Sequence, residues 1–136
     1  MVTKELNPTQ IGDISEAKLK AHFIERGYVV LEPANNGLRY DFVIEQNGRF
    51  QRIQAKTARL VDDEYILFST SSKDSSTNGD VDYRGDIDLF AVYCPDNDIY
   101  YLMGVDAAPT SKCFLRVVPT KNNQRKGIRW AEDYEF

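Results

Sequence analysis

No stretch of this sequence approaches the ~18 consecutive apolar residues of a membrane-spanning helix. Its start, MVTKELNPTQ, lacks the basic-then-apolar profile of a secretory signal. The cytosol, hence a cytoplasmic location, is the expected compartment. Cysteine is scarce: Cys94 and Cys113 stand far apart, and neither has Cys or His neighbours at the spacing of a zinc site. Two reduced, partly buried thiols are expected. Positive charge is not in excess, since the formal net charge is -4. That argues against a protein that coats nucleic acid by bulk electrostatics.

What is present is a chain of 136 residues, 42% hydrophobic and 28% charged, long enough to bury one core and short for two. Residues 1–136 therefore read as a single domain. Charge is unevenly placed along it. Between Pro109 and Ala131 stand Lys112, Arg116, Lys121, Arg125, Lys126 and Arg129 with no acid among them, while acids crowd Asp80 to Asp88. The basic stretch is either a phosphate-facing surface or a solvated tail, and by itself it does not choose.

The first element is a helix over roughly Pro8 to Arg26: Asn7 can cap it, Pro8 suits its first turn, Gln10 completes a capping-box spacing and Gly27 marks its end. Ile14, Ala17, Ala21 and Ile24 recur at helical spacing and are the expected core stripe, with Leu19 and Phe23 forming a second apolar strip that flanks Glu16. Strands are expected at Tyr28 to Glu32, on either side of Asn47-Gly48, at Tyr65 to Ser71, Ile87 to Cys94 and Ile99 to Met103, and over Phe114 to Val118. The polar run from Ser71 to Asp86 carries too little apolar content for a core element and is expected to be a mobile loop.

Asn-Gly between two strand-like runs is the strongest hairpin signal in the chain. A two-residue turn there pairs Gln46 with Arg49, and counting back along the ladder sets Asp41 opposite Gln54. Side chains alternate across a strand, so Asp41, Gln54 and Lys56 project from one side, while Phe42, Ile44, Ile53 and Ala55 line the other. A carboxylate, an amide and an amine thus converge at one end of the hairpin. Hydrolysis of a phosphodiester needs a hard cation with oxygen ligands, which Asp41 and Glu16 can supply, and a lysine to steady developing negative charge, a role open to Lys56. The bland alternative is a cross-strand ion pair between Asp41 and Lys56 worth only ~0.2–1 kcal/mol.

Glu16 on the first helix, Asp41 at a strand start and Gln54-Ala55-Lys56 on the next strand resemble the PD-(D/E)XK nuclease signature. The phrases GDISEAKLKAHFIERGYVVLEP, YDFVIEQNGRFQRIQAKTA and YRGDIDLFAVYCPDNDIYYL are similar to the small group I intron-associated homing endonucleases of bacteria, over about Ile11 to Met103. The resemblance implies an α/β fold with a restriction-endonuclease-like core, a mixed central β-sheet with the N-terminal helix packed on it. It also implies magnesium, with manganese as a substitute, bound by Glu16, Asp41 and the Ala55 carbonyl, and Lys56 assisting a nucleophilic water. Gln54 stands where the motif has its second acid, which weakens the case for a second metal because an amide oxygen is the poorer ligand. Tyr40 stands where the motif has Pro, and no amphipathic helix is evident between the later strands.

Other features carry blander readings. His22 is expected to be a surface or partly buried helix residue. The acids from Asp80 to Asp88 do not make a calcium loop, since Arg84 occupies a ligand position. The tyrosines of the later strands are expected to pack, and Trp130 with Ile128 and Tyr134 is read either as local packing or, the favoured reading, as a contact with another copy of the chain. The partner implied is double-stranded DNA cut by a homo-oligomer, dimer or tetramer, with Arg59, Lys73, Arg84, Arg116, Lys121, Arg125 and Lys126 as candidate DNA contacts. A Holliday-junction resolvase, a restriction-type nuclease and a DNA-binding module without cleavage are the rivals.

Overall fold

A computed structural model describes residues 5–136. Helix α1, Pro8–Glu25, begins on the expected capping box: Asn7 Oδ1 accepts from the Gln10 N–H at 2.9 Å, and Gln10 Oε1 accepts from the Asn7 N–H at 3.0 Å. It ends before Gly27, whose φ of 88° favours glycine. The buried face is not the expected one. Ser15, Leu19 and Phe23 point inward, whereas Ile14 and Ile24 are 40% and 59% exposed, and Ala17 and Ala21 are exposed too. Apolar area, more than the number of apolar positions, selects the face, and Leu and Phe bury far more of it than two alanines. Ser15 is tolerated in that row because its hydroxyl meets Thr57 Oγ1 at 2.7 Å.

The helix packs on a five-stranded sheet. In chain order its members are β1 (Val29–Leu31), β2 (Phe42–Gln46), β3 (Arg49–Thr57), β8 (Leu89–Cys94) and β9 (Ile99–Gly104), and they are neighbours in that order. β2 and β3 form the expected hairpin, with Asn47 and Gly48 at φ 55° and 80°, a type I′ turn. Pairing runs from Gln46↔Arg49 to Phe42↔Ile53. Asp41 sits one step beyond that ladder and donates its N–H to the Ile53 carbonyl at 2.8 Å, instead of standing directly opposite Gln54. β8 runs parallel to β3, from Ile53↔Leu89 to Thr57↔Tyr93, and the other pairs are antiparallel, so the sheet is mixed.

The crossover from β3 to β8 is built of strands: β4 (Arg59–Val61), β5 (Tyr65–Ser69), β6 (Ser71–Lys73) and β7 (Asp80–Asp82). β4 and β5 join β10 (Lys112–Arg116) in a three-stranded antiparallel sheet. Two expectations change here. β4 was not foreseen, and the run from Ser71 to Asp86 is not a structureless loop: β6 and β7 pair, Lys73 meets Asp80 at 2.6 Å, and Tyr83 is buried. One aromatic anchor and paired charges order a segment that bulk composition would leave loose.

Two cores result. On one face of the main sheet, Leu19 and Phe23 pack against Phe42, Ile44, Ile53, Ala91 and Tyr93. On the other, Phe90, Val92 and Met103 meet Ile66, Phe68 and Leu115 of the smaller sheet. Cys94 and Cys113 lie fully inside the second core, and burial pushes the Cys113 thiol pKa up to about 11. His22 stacks on Tyr100 at 3.9 Å and meets the Phe136 carbonyl at 2.6 Å, a packing role as expected. Among the described residues no helix is long and apolar enough to cross a membrane.

The choice of helix face is testable by urea unfolding. Leu19→Ala, at a site with 0% exposure, is expected to lose about 2–5 kcal/mol. Ile24→Ala is expected to stay within about 0.5 kcal/mol of the parent. Comparable losses in both would restore the stripe built on Ile14 and Ile24.

Candidate active site

β3 outruns β2. Its residues Gln54 to Thr57 pair with β8 on one side and have no β2 partner on the other. Asp41 fills that notch: its Oδ2 accepts the Ala55 N–H at 2.8 Å and the Gln54 side-chain amide at 2.8 Å. The N–H and C=O of one strand residue point the same way, so the Ala55 carbonyl is directed into the notch as well.

Burial, the largest influence, raises the Asp41 pKa above the usual aspartate range, and the negative charge of Glu16 adds to the rise. The Ala55 N–H, the charge of Lys56 and the Gln54 amide oppose it. Glu16 reaches this end of the sheet from α1. It carries Lys20 at 3.1 Å, which also meets Glu32 at 2.6 Å. Lys56 does not form an ion pair with Asp41 among the described residues, so the bland alternative fails. Its Nζ instead reaches Tyr83 Oη at 3.4 Å. An open hollow of about 280 Å³ lies beside Asp41, lined in part by Lys20, Glu32, Asn35 and Tyr40.

Glu16, Asp41, Gln54, Ala55 and Lys56 are therefore brought to one place. No group of three or more His, Cys, Asp and Glu side chains converges as a metal cage among the described residues. The donors at the notch are two carboxylates, a backbone carbonyl and the Gln54 amide oxygen. Such a hard, oxygen-only set, short of a full cage, suits a magnesium-like ion that keeps several waters. Gln54 spends its nitrogen on Asp41, which leaves its oxygen as the atom it can offer a cation.

The candidate DNA contacts divide among three places. Arg59 and Arg116 belong to the smaller sheet, where Arg59↔Leu67↔Phe114 and Val61↔Tyr65↔Arg116 form cross-strand rows on the face turned away from the core. Arg59 is exposed there, while Arg116 donates to the Val118 carbonyl at 2.9 Å and lies 4.0 Å from Glu64. Lys73 and Arg84 belong to the segment around β6 and β7, and Arg84 donates to the Ala108 carbonyl at 2.6 Å. Lys121, Arg125 and Lys126 are exposed near the C-terminus. Arg125 covers the Trp130 ring at 4.3 Å and pairs with Glu132 at 3.6 Å, so Trp130 has a local partner.

Sequence reasoning passed over two residues beside the notch, Arg39 and Tyr83. Arg39 stands two positions before Asp41, which is a signal of proximity. Tyr83 lies in a polar run, and only its aromatic ring distinguishes it there.

Asp41 binds a proton more readily folded than unfolded. Its contribution is therefore most favourable below the usual value of 3.8 and is lost as pH rises through the raised folded value. In chelator, Asp41→Asn is expected to gain in melting temperature over the parent across that window and to keep the gain at neutral pH. A difference independent of pH in a melting series would contradict the assigned cause.

The family model described as PD-(D/E)XK endonuclease matches residues 6–136. A solved structure described as that of a bacterial homing endonuclease, I-Ssp6803I, superposes with a TM-score of 0.74 at 24% identity, covering 95% of this chain and 89% of that one. An identity that low shows the shared fold. No curated protein matches the chain.

Proposed function

The chain belongs to the PD-(D/E)XK endonuclease family, and from that premise we propose that it cuts duplex DNA at a defined site with a divalent cation, magnesium or manganese, held by Asp41, Glu16 and the Ala55 carbonyl. The observation that carries this reading is the notch itself, where Asp41 accepts from Ala55 and Gln54 at 2.8 Å each while burial and Glu16 raise its pKa. A cation beside Asp41 offsets the burial and the neighbouring Glu16 charge that disfavour its carboxylate. When bound, such an ion neutralises charge that builds on the phosphate oxygens.

The chain's own residues do the rest. Gln54 and the Ala55 N–H both donate to Asp41 Oδ2 and so orient its carboxylate. Glu16, paired with Lys20 at 3.1 Å, would be the second carboxylate to hold the ion. Lys56, a compact charge on a flexible stem, steadies the attacking water or the phosphorus centre as negative charge develops. The exposed Arg59 and Lys112, on the sheet that continues directly from β3, suit the flanking phosphates. One notch cuts one strand, so a double-strand break calls for a second copy of the chain, and a homo-oligomer is part of the proposal.

The test is a plasmid library with randomised inserts, incubated with magnesium or with chelator, whose cut ends are sequenced. Recurrent cleavage that needs the ion is expected, and Asp41→Asn and Lys56→Ala are each expected to slow it by about a hundred- to a thousandfold while retaining DNA affinity. Preferential cutting of four-way junctions in a parallel arm would assign a resolvase. Salt-sensitive binding without cleavage in any divalent ion would leave a DNA-binding module.

A further inference from the structure

We propose that Tyr83 is a positioning residue for Lys56, so that the hairpin of β6 and β7 is a working part of the active site; this rests on the role given to Lys56 above. A lysine on a strand has several rotamers open to it, and one left free would spend little time aimed at the reacting phosphate. Here the Lys56 ammonium donates to Tyr83 Oη at 3.4 Å and lies 4.9 Å from the ring centroid. The phenol is itself held. It is 6% exposed, meets Phe90 edge-on at 5.5 Å, and carries the Arg39 guanidinium over its ring at 4.1 Å.

Arg39 closes the circuit. Its guanidinium donates to the backbone carbonyls of Asp82 at 2.9 Å and Val81 at 3.4 Å, both in β7. Because Arg39 stands two residues before Asp41, the same stack ties the chain that delivers the carboxylate to the ring that holds the amine. Two cations, Arg39 and Lys56, lie 4.1 Å and 4.9 Å from the centre of this one ring. The negative π-face attracts each of them, and the hydroxyl has Lys56 as its hydrogen-bond partner among the described residues. Phenylalanine would satisfy every packing contact of the ring and lose only that tie.

Tyr83→Phe in the full chain separates the roles. The variant is expected to keep the parent's melting temperature and duplex dissociation constant and to lose about tenfold in single-turnover cleavage rate, the scale of a modestly misplaced catalytic group. Tyr83→Leu is expected to lose more. A second readout needs no activity: the Lys56 ε-methylene NMR signal, assigned by its disappearance in Lys56→Arg, is expected to show a ring-current shift that Tyr83→Phe reduces and Tyr83→Leu abolishes. A Tyr83→Phe variant that cleaves at the parent rate, or that loses rate only through weaker DNA binding, overturns the proposal. So does a Lys56 signal at the free-lysine position in the parent. If the parent itself cuts no DNA in any divalent ion, the nuclease reading falls, and the NMR shift alone decides whether Tyr83 holds Lys56.

Discussion

A β-strand that runs past its neighbour exposes backbone donors that must be satisfied. In this chain that donor is the Ala55 N–H, and the group that satisfies it is the Asp41 carboxylate at 2.8 Å. Much else follows from this contact. It places a charged acid at a sheet edge, fixes the acid's orientation through the neighbouring Gln54 amide, and directs the Ala55 carbonyl to the same point. The helix then needs only to lie across that end of the sheet for Glu16 to face Asp41, and the Ser15 to Thr57 hydroxyl contact at 2.7 Å holds it there.

The electrostatics of the notch favour function over stability. A carboxylate desolvated beside another carboxylate is a local burden on the fold, and an uncharged residue of the same shape would remove it. The chain keeps the acid, along with cations that do not neutralise it directly: Lys20 sits between Glu16 and Glu32, and Lys56 turns to Tyr83. Asp41 is thus left without an ion-pair partner among the described residues. The hairpin of β6 and β7, attached through Arg39 and Tyr83, is held more firmly than its polar composition suggests.

Much of this was legible in the residues. Asn47-Gly48 dictated turn type, and the turn dictated register, because a two-residue loop leaves no freedom in which residues pair. The capping box of Asn7 and Gln10 set the helix start for the same kind of local reason. The likeness to the nuclease signature named five residues that the fold does assemble. The buried face of α1 was misread because periodicity counts apolar positions, whereas packing weighs their area and what faces them. The later segment was misread because composition averages over Tyr83, its buried aromatic anchor, and over the charges that pair within it.

The sequence by itself determined what short-range chemistry can: the cap, the hairpin and its register, and which side of the strand carries Gln54 and Lys56. Those follow from backbone geometry within a few residues. Only the tertiary structure decided which helix face is buried, that β3 pairs in parallel with β8, that Asp41 binds the Ala55 N–H from just outside its ladder, and that Lys56 meets Tyr83 instead of Asp41. Each of these depends on which surfaces, far apart along the chain, bury the most apolar area while satisfying every polar group, and local spacing does not encode that.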